Sequence, residues 1–329
     1  MSAYIHELPD WPRFRWRHES LMAPLASARY LQGQLIGLAK ALPGTTRTEA
    51  AGRVDLGQTP DATARYDQPL TEQRLLTWHA ALFPTGDAGG FPAGDAEEHR
   101  HPAGAWRTDS AALMHVVSGP MGIVHFEAPA AVRISGEMRE FLDWFNHDTT
   151  TEPVLKAAQA HLWFVTIHPF DDGNGEIAGA ITDLALARSE NSVQRFYSMS
   201  AQIREERDDY YRILERTQLG TMDVTAWMVW FLGCLARALE RARTVLSELL
   251  AKARDRETLF DVPLNDRQRL MITRLLEGAE GKLTTSTWAA AAECSQDTAL
   301  RDIQQLVDRG VLVRGTRGGR STSYALAGR

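Results

Sequence analysis

Five consecutive segments between residues 135 and 250 repeat apolar residues at the spacing of an amphipathic helix, and this run constrains the fold more than any other feature. The segments are SGEMREFLDWFNH, PVLKAAQAHLWFVTIH, IAGAITDLALARS, SMSAQIREERDDYYRILERTQ and TAWMVWFLGCLARALERARTVLSELL. Before them, the β-favouring runs MHVVSG and IVHFEAP flank the turn sequence PMG and predict a hairpin over Met114 to Pro129. We therefore predict a mainly α bundle that carries one small β-hairpin.

The flanks of this bundle differ from it in composition. Residues 1–42 begin with a Trp- and Pro-rich segment and continue into LMAPLASARYLQGQLIGLAKAL, which has helical spacing. Residues 43–69 are rich in Gly, Thr, Asp and Ala with little apolar periodicity, which predicts a linker or loosely packed surface. Helical patterning resumes after Thr71, a predicted helix N-cap. We divide the chain into an amino-terminal helical region with its linker (1–65), the bundle (66–250) and a carboxy-terminal domain (251–329).

Residues 265–329 change in character. Three short helical patterns precede two β-favouring runs around a Gly- and Arg-rich turn, which is the order of a winged helix-turn-helix. Ten Lys and Arg against seven Asp and Glu give this region a net charge of +3, while residues 1–264 carry a net charge of -9. The positive charge therefore lies in the part that could touch DNA. The predicted DNA-binding residues, early in the third helix and on the wing, are Ser295, Gln296, Thr298, Arg301, Arg317 and Arg320.

DNA binding by this domain has an alternative, a winged helix used only for protein contacts. The whole chain has a net charge of -6, which argues against a protein that coats nucleic acid through bulk positive charge. The few exposed basic residues predict weak DNA binding by a monomer, so we expect the DNA-binding form to be a homodimer.

The cysteines and the apolar runs indicate the cellular compartment of the protein. Cys234 and Cys294 lie 60 residues apart and indicate neither a disulfide framework nor a metal cluster, which is typical of a reducing compartment. The amino terminus has charges and prolines where a signal peptide needs a short apolar run, and no apolar stretch approaches the ~18 residues of a membrane-spanning helix. We expect a cytoplasmic protein with no membrane partner.

The most informative stretch joins two of the predicted helices and reads His168-Pro-Phe-Asp-Asp-Gly-Asn-Gly175. A histidine can take a proton from an attacking hydroxyl near neutral pH. Asp172 supplies a hard oxygen ligand suited to Mg²⁺ together with substrate phosphates. Backbone N–H groups of a glycine-rich turn at a helix N-terminus form an anion site. Together these groups predict a phosphoryl-group active site.

This stretch resembles the core motif of the Fic family, H-P-F-x-D/E-G-N-G-R-x-x-R, whose usual members transfer AMP from ATP to a protein hydroxyl. The resemblance extends over nearly the whole chain, through YDQPL, WHAALFPTG, VVSGP, VHFEAP and FYSMSAQIR. The chain is similar to the subfamily in which an amino-terminal helical region precedes the Fic domain and a winged helix follows it. The resemblance therefore implies a Fic helical bundle with a β-hairpin flap and a carboxy-terminal winged helix-turn-helix domain.

The resemblance also implies roles for positions of this chain. His168 would be the general base and Asp172 the Mg²⁺ ligand. The flap would align a target segment by adding a strand to it, through Val124, His125 and Phe126. ATP or another nucleotide would be the substrate, and the acceptor would be a hydroxyl of a target protein or of the chain itself. The residues implied in nucleotide binding are Phe170, which as a core residue also holds the loop, Gly173, Asn174, Gly175 and Glu176.

The chain departs from the motif where the family has two phosphate-gripping arginines, because it has Glu176-Ile-Ala-Gly179 there. Charge-assisted hydrogen bonds contribute about 1.5–3 kcal/mol each, so losing two costs about 3–6 kcal/mol, or roughly two to four orders of magnitude in ATP handling. A substrate with a different or shorter phosphate tail would fit such a clamp. The segment Thr45 to Ala50 matches the family's inhibitory motif except at its last position and lacks helical apolar spacing. We expect the inhibitory helix to be absent or degraded.

Two functions stay open at this point. One is a Fic-type protein adenylyltransferase that is impaired or changed in nucleotide specificity. The other is a catalytically inactive Fic scaffold that acts as a dimeric DNA-binding transcriptional regulator. Nucleotide binding, and an adduct that disappears in His168→Ala, would favour the enzyme.

Overall fold

Helices account for most of the chain in the computed structural model, which describes residues 4–52, 61–84, 102–108, 115–118, 123–260, 263–276, 283–315 and 322–327. The helices are α1 (His18–Ala41), α2 (Gly44–Gly52), α3 (Asp61–Ala64), α4 (Glu72–Leu82), α5 (Ala131–His147), α6 (Pro153–Ile167), α7 (Asn174–Glu190), α8 (Met199–Glu205), α9 (Arg207–Gln218), α10 (Thr225–Phe260), α11 (Asp266–Leu276), α12 (Thr285–Ala291) and α13 (Gln296–Asp308). The strands are β1 (His115–Ser118), β2 (Ile123–Glu127), β3 (Leu312–Arg314) and β4 (Tyr324–Leu326). The mainly α prediction is confirmed.

The chain divides into two units. The first contains Met1–Lys40 and Arg47–Val245, and the second contains Ala41–Thr46 and Leu246–Arg329. The amino-terminal helix α1 thus lies in the same unit as the bundle.

The first unit is built around α6 and α7. Nearly every residue of α6 is buried, because the helix is apolar on all sides and is covered by its neighbours. Alanines at 157, 158 and 160 on α6, and at 178, 180 and 185 on α7, keep both helices narrow. The two helices are joined by the six residues from His168 to Gly173, so the predicted active-site stretch lies at one end of the central helix pair.

The aromatic segment before α1 anchors to this core. Trp11 and Phe14 pack edge-on against Trp163 of α6, with ring centroids 6.4 and 6.1 Å apart. The Trp11 indole N–H donates to Glu137 Oε2 of α5 at 2.7 Å, which satisfies a largely buried carboxylate. This segment therefore belongs to the core of the first unit.

The predicted hairpin is confirmed. Strands β1 and β2 pair antiparallel, and the register shifts between Val116 and Val117. Thr71 is also confirmed as the N-cap of α4, because its side chain accepts from the Arg74 N–H at 3.2 Å.

Two expectations about elements are wrong. The segment predicted as a linker, residues 43–69, contains helices α2 and α3. Asp61, at the start of α3, accepts from Trp78 Nε1 at 2.9 Å and from Arg74 Nη2 at 3.1 Å, so contacts distant in sequence hold a helix that has no apolar period. The single helix predicted for residues 198–218 is interrupted at Glu206 between α8 and α9.

The second unit has its own apolar core, in which Trp288, Ile303 and Leu306 are fully buried. Its helices α11, α12 and α13 are followed by β3 and β4, which pair antiparallel. This order matches the one predicted from the sequence. None of the helices in the described ranges is both long and apolar enough to cross a membrane.

Candidate active site

His168 ends α6 in a left-handed conformation, with φ 51° and ψ 59°. Its backbone N–H still donates to Phe164 O at 3.0 Å, and Pro169 then stops the helix because it has no N–H to continue it. At the other end of the loop, Gly173 has φ 76°. A Cβ there would lie 3.1 Å from the Phe83 ring, so both conformation and space require glycine.

Asn174 closes the loop on itself. Its side-chain Oδ1 accepts from Phe170 N–H at 3.0 Å, and its Nδ2 donates to Phe170 O at 2.7 Å. The Asn174 side chain is buried and both its polar atoms are used in this way. Asn174 therefore shapes the anion site by fixing the loop, and its side chain is not a direct ligand for a nucleotide.

Phe170 is fully buried and is not among the described residues that line the cleft above the loop, so it lies in the core beneath the loop; its implied part in nucleotide binding stays a prediction. The ring stacks on His79 of α4, with centroids 3.8 Å apart and an interplanar angle of 4°. His79 Nδ1 accepts from Gly104 N–H at 2.8 Å, so its Nε2 carries the proton and donates to Asp172 O at 3.2 Å. Burial lowers the pKa of His79, which favours the neutral ring that these two hydrogen bonds require.

Arg107 supports the other side of the loop. Its buried guanidinium donates from Nε to His168 O at 2.7 Å and from Nη2 to Pro129 O. Its backbone N–H donates to Pro169 O at 2.9 Å. One side chain thus ties the loop that follows α6 to Pro129, two residues beyond strand β2.

A cleft of about 820 Å³ opens above this loop. Its lining includes His168, Asp172 and the turn Gly173–Glu176, together with β2 residues and one face of α9. The structure therefore brings together the imidazole, the carboxylate and the glycine turn that the sequence singled out. The His168 side chain is partly exposed within the cleft.

His168 is a neutral base. Burial, with the nearby Arg107 charge, lowers its pKa to about 4. Its Nδ1 faces Val165 O at 3.4 Å, and because a carbonyl only accepts, Nδ1 carries the proton and Nε2 keeps its lone pair. An anionic phosphate in the cleft would oppose the Arg107 charge and raise the pKa toward the neutral range, where proton transfer is most effective.

Asp172 is exposed in the cleft, and its Oδ1 accepts from Gly173 N–H at 2.7 Å. Within the described residues no group of three or more His, Cys, Asp or Glu side chains could hold a metal ion by itself. A single carboxylate with one engaged oxygen fits Mg²⁺, which binds through one or two carboxylates plus substrate phosphates and water.

The first turn of α7 carries the backbone N–H groups of the predicted anion site. The N–H groups of Asn174, Gly175 and Glu176 precede the first intrahelical hydrogen bond, which runs from Ile177 N–H to Gly173 O at 3.0 Å. Gly173 is the N-cap residue of α7 and has no side chain that could cap these N–H groups. Its own N–H donates to Asp172 Oδ1. Three first-turn N–H groups, rather than that of Gly173, are thus available to an anion at the positive end of the helix dipole.

Comparison with known proteins identifies this domain. Residues 69–186 match the model of the Fic/DOC family. The chain contains a Fic/DOC domain. Residues 4–54 match a separate model, a domain of unknown function (DUF4172). The Fic match contains the whole loop from His168 to Gly175.

Named relatives of the Fic domain cover part of the chain. "Protein adenylyltransferase fic-1" of Caenorhabditis elegans is 38% identical over 55 residues, 16% of this chain and 11% of that protein. "Protein adenylyltransferase Fic" of Drosophila yakuba is 30% identical over 114 residues, 34% of this chain and 21% of that protein. The chain thus spans about a tenth to a fifth of the length of these curated relatives.

A solved structure shares the fold. A Fic family protein from Desulfovibrio desulfuricans G20 superimposes with a TM-score of 0.51 at 19% identity, covering 94% of this chain and 87% of that one. The chain therefore has the helical fold of this Fic family structure.

The two departures from the Fic motif lie in different places. Glu176 is exposed and lines the cleft. Gly179 is buried on α7, where an added Cβ would lie 2.7 Å from Ser200 Oγ of α8. The absence of a side chain at 179 thus lets α8 pack closely against α7. Glu49, in the segment that matches the inhibitory motif except at its last position, is exposed on α2 and is not among the described residues that line the cleft; the segment is helical although it lacks apolar spacing.

Strand β2 supplies the predicted flap residues. Val124 is exposed, and His125 lies with its Nδ1 3.3 Å from Glu215 Oε2 of α9. Phe126 is buried and packs edge-on against Tyr4 and His6, so its side chain faces the protein and only its main chain could contact a target; docking by the flap stays a prediction. Phe126 thus anchors the strand to the amino-terminal segment of the first unit.

The opposite wall of the cleft comes from α9 and is fixed by a directed hydrogen-bond chain. Thr182 Oγ1 donates to Ala178 O at 2.8 Å, so it accepts from His161 Nδ1 at 2.9 Å. His161 Nε2 therefore accepts from the Tyr210 hydroxyl at 3.1 Å. Burial, and to a lesser extent Tyr211 and Glu176, raise the pKa of Tyr210, which keeps the phenol protonated for this bond.

The predicted DNA-binding residues lie around the start of α13. Ser295 is its N-cap and accepts from Thr298 N–H at 3.2 Å. Gln296 and Arg301 are exposed. Arg317 and Arg320 lie outside the described residues. Winged-helix DNA binding stays a prediction.

Sequence reasoning missed His79, Arg107, His161 and Tyr210. Each acts through a partner at least 20 residues away in the chain, and no local spacing signals such a pair. His79 lies in the segment WHAALFPTG, which carries part of the family resemblance, but nothing in that segment indicates that the histidine supports a distant loop.

Proposed function

We propose that the Fic domain transfers a nucleotidyl group from a nucleoside polyphosphate to a protein hydroxyl. The observation that carries this proposal is that His168, Asp172 and the uncapped first turn of α7 open into one cleft. The resemblance to protein adenylyltransferases supports AMP as the transferred group and ATP as its donor.

The chemistry follows from the positions of these groups. A hydroxyl oxygen attacks the α-phosphorus of ATP, forms the new P–O bond and releases pyrophosphate. His168 Nε2 accepts the hydroxyl proton, while Arg107 fixes the His168 backbone. The N–H groups of residues 174–176 stabilise the charge that develops on phosphate oxygens. Asp172 would hold Mg²⁺, which when bound supplies charge neutralisation to the phosphates.

The acceptor approaches along the flap. A target segment would pair with strand β2, whose Val124 side chain is exposed, through main-chain hydrogen bonds. The acceptor is a hydroxyl of a partner protein or of this chain. Because Glu176 replaces an arginine in the cleft, we propose that ATP is used weakly or that another nucleotide is preferred.

The test combines titration with mass spectrometry. The full chain is incubated with ATP and Mg²⁺, alone and with a cell extract depleted of nucleotides, and adducts are mapped. We expect an adduct with wild type that is lost in His168→Ala and kept in the control His147→Ala, whose side chain is exposed on α5. Adducts that persist in His168→Ala would contradict the proposal.

A second candidate is a DNA-binding regulator for which the Fic domain is a scaffold. It is favoured by the order of α11, α12, α13 and the β3–β4 pair, and by the net charge of +3 on residues 265–329. We propose a homodimer for this form, since one copy offers few cations. Selection from random-sequence duplexes tests it: enrichment lost in Arg301→Ala supports the regulator, and no enrichment at low salt contradicts it.

A further inference from the structure

A nucleotide in this cleft needs a cationic side chain that α7 does not supply. Positions 176 and 179 carry Glu and Gly in place of the two arginines of the motif. The first-turn N–H groups of α7 contribute only partial charges. The described lining also contains five carboxylates, namely Asp171, Asp172, Glu176, Asp208 and Glu215. A polyanionic tail therefore requires a positive group elsewhere in the cleft.

Among the described residues, two arginines line the cleft, and both belong to α9. Arg212 Nη1 lies 2.9 Å from Asp209 Oδ1, so its charge already has a partner. Arg207 has no carboxylate within ion-pair distance among the described residues. Its guanidinium instead lies over the ring of Tyr211, 5.5 Å from the ring centroid. An aromatic face leaves the in-plane N–H donors of a guanidinium available for hydrogen bonds.

Arg207 is also held in a defined place. It is the first residue of α9, one turn before Tyr211. Tyr211 packs on Tyr210, with ring centroids 5.3 Å apart. Tyr210 is in turn fixed to α6 by its hydrogen bond to His161. A cation on this helix therefore faces the cleft from a rigid wall.

We propose that Arg207 binds the terminal phosphates of a nucleoside di- or triphosphate, so that α9 takes over the phosphate contact that α7 has lost. This inference rests on the proposed function and deepens it. A guanidinium matches phosphate oxygens with two parallel N–H donors. Because the lining carries five carboxylates, the nucleotide binds as its magnesium complex, in which the negative charge is reduced.

Isothermal titration calorimetry of the full chain with Mg²⁺ tests this inference. We expect Arg207→Ala to bind ATP about 10- to 100-fold more weakly than wild type, since one charge-assisted contact is lost. Arg212→Ala is the matched control, because it removes a lining arginine of the same helix that is already paired with Asp209. It should change the affinity by less than about 3-fold. Arg207→Lys, which keeps the charge without the fork, should lie between wild type and Arg207→Ala.

AMP serves as the second ligand, because it has no terminal phosphates. Arg207→Ala should bind AMP as wild type does. Equal ATP affinity in Arg207→Ala and wild type would overturn the inference while leaving the transfer proposal intact. A parallel loss of AMP binding would overturn it too, since a contact to the tail cannot cause that loss. If wild type binds neither nucleotide, the proposed function fails and the inference fails with it. Arg207 is exposed, so equal melting temperatures for the variants are expected and are checked first.

Discussion

At the scale of single residues, Asn174 is the side chain on which the shape of the loop from His168 to Gly173 depends most. Its amide satisfies both the N–H and the C=O of buried Phe170. In Asn174→Ala both groups would be left without a partner, and each such loss costs about 1–3 kcal/mol. We expect the free energy of unfolding to fall by about 2–4 kcal/mol and nucleotide binding to be lost.

The neighbouring variant Gly175→Ala is the control for Asn174→Ala. A Cβ at position 175 meets nothing within 4 Å, so this change should leave stability nearly unaffected. Denaturant unfolding followed by tryptophan fluorescence measures both. If the two variants unfolded at the same denaturant concentration, Asn174 would not be the clamp described above.

His161 gives the first unit a pH dependence of stability. Burial lowers its pKa from 6.5 to about 4, and no charged group contributes to this shift. Between these values the unfolded chain binds a proton that the folded chain does not, so stability is complete above pH 6.5, falls as the pH drops toward 4, and then levels off. This one residue corresponds to ~3 kcal/mol.

His161→Gln tests that assignment, because glutamine does not titrate. The difference in unfolding free energy between pH 7 and pH 4.5 should be smaller in the variant than in wild type by ~2–3 kcal/mol. His6 and His168, whose pKa values burial also lowers to about 4, would retain part of the dependence. An unchanged difference would mean that the pKa of His161 is the same in the folded and unfolded states.

At the scale of elements, the packing of α8 on α7 determines how the motif arginines can be restored. Glu176→Arg is unhindered at an exposed position, and we expect it to tighten ATP binding about 10-fold. Gly179→Arg meets Ser200 Oγ, so it should help only together with Ser200→Ala, which leaves a Cβ–Cβ distance of 3.9 Å.

Calorimetry with ATP on the four combinations of Gly179→Arg and Ser200→Ala, all in a Glu176→Arg background, measures this coupling. We expect the triple variant to bind ATP more tightly than either double variant. Equal affinities with and without Ser200→Ala would refute the steric role of Ser200.

The sequence predicts elements well where their own apolar period decides the structure. Helices α5, α6, α7 and the hairpin were predicted from local pattern and turn signals. Helices α3, α8 and α9 depend on distant partners: Asp61 binds Arg74 and Trp78, and Glu206 accepts from Arg237 Nε at 2.6 Å at the break between α8 and α9. A window of the sequence does not contain such partners, so these boundaries were missed.

The same distinction, between features set by the local sequence and features set by distant partners, applies to the candidate site. His168, Asp172 and the glycine turn were found because their chemistry is contiguous in the sequence. Their supports, His79 and Arg107, come from other elements, and the Arg207 contact emerges only once α9 forms a wall of the cleft.

At the scale of the whole molecule, the two units each have a core of their own. We expect residues 246–329 to fold alone, since Trp288 and its neighbours bury a complete apolar cluster. In this fragment Trp288→Ala removes a fully buried ring, costs about 3–5 kcal/mol and should abolish cooperative melting. Leu300→Ala, at an exposed position, should leave the melting temperature unchanged. Circular dichroism of the fragment checks both, and a wild-type fragment that melts without a transition would contradict the division.

The division also separates the two candidate functions. The proposed nucleotide transfer would depend on residues of the first unit and the proposed DNA contact on residues of the second, so variants of one leave the other testable. The charge is also unevenly distributed, with a net of -9 on residues 1–264 and +3 on residues 265–329.

The most direct measurement is a crystal of the wild-type chain soaked with ATP and Mg²⁺ at saturating concentration. We predict density for a phosphate over the backbone N–H groups of residues 174–176, next to Asp172 and within reach of His168. Nucleotide density at another surface, or an empty turn under these conditions, would contradict the claim that this loop is built to hold a phosphorylated ligand.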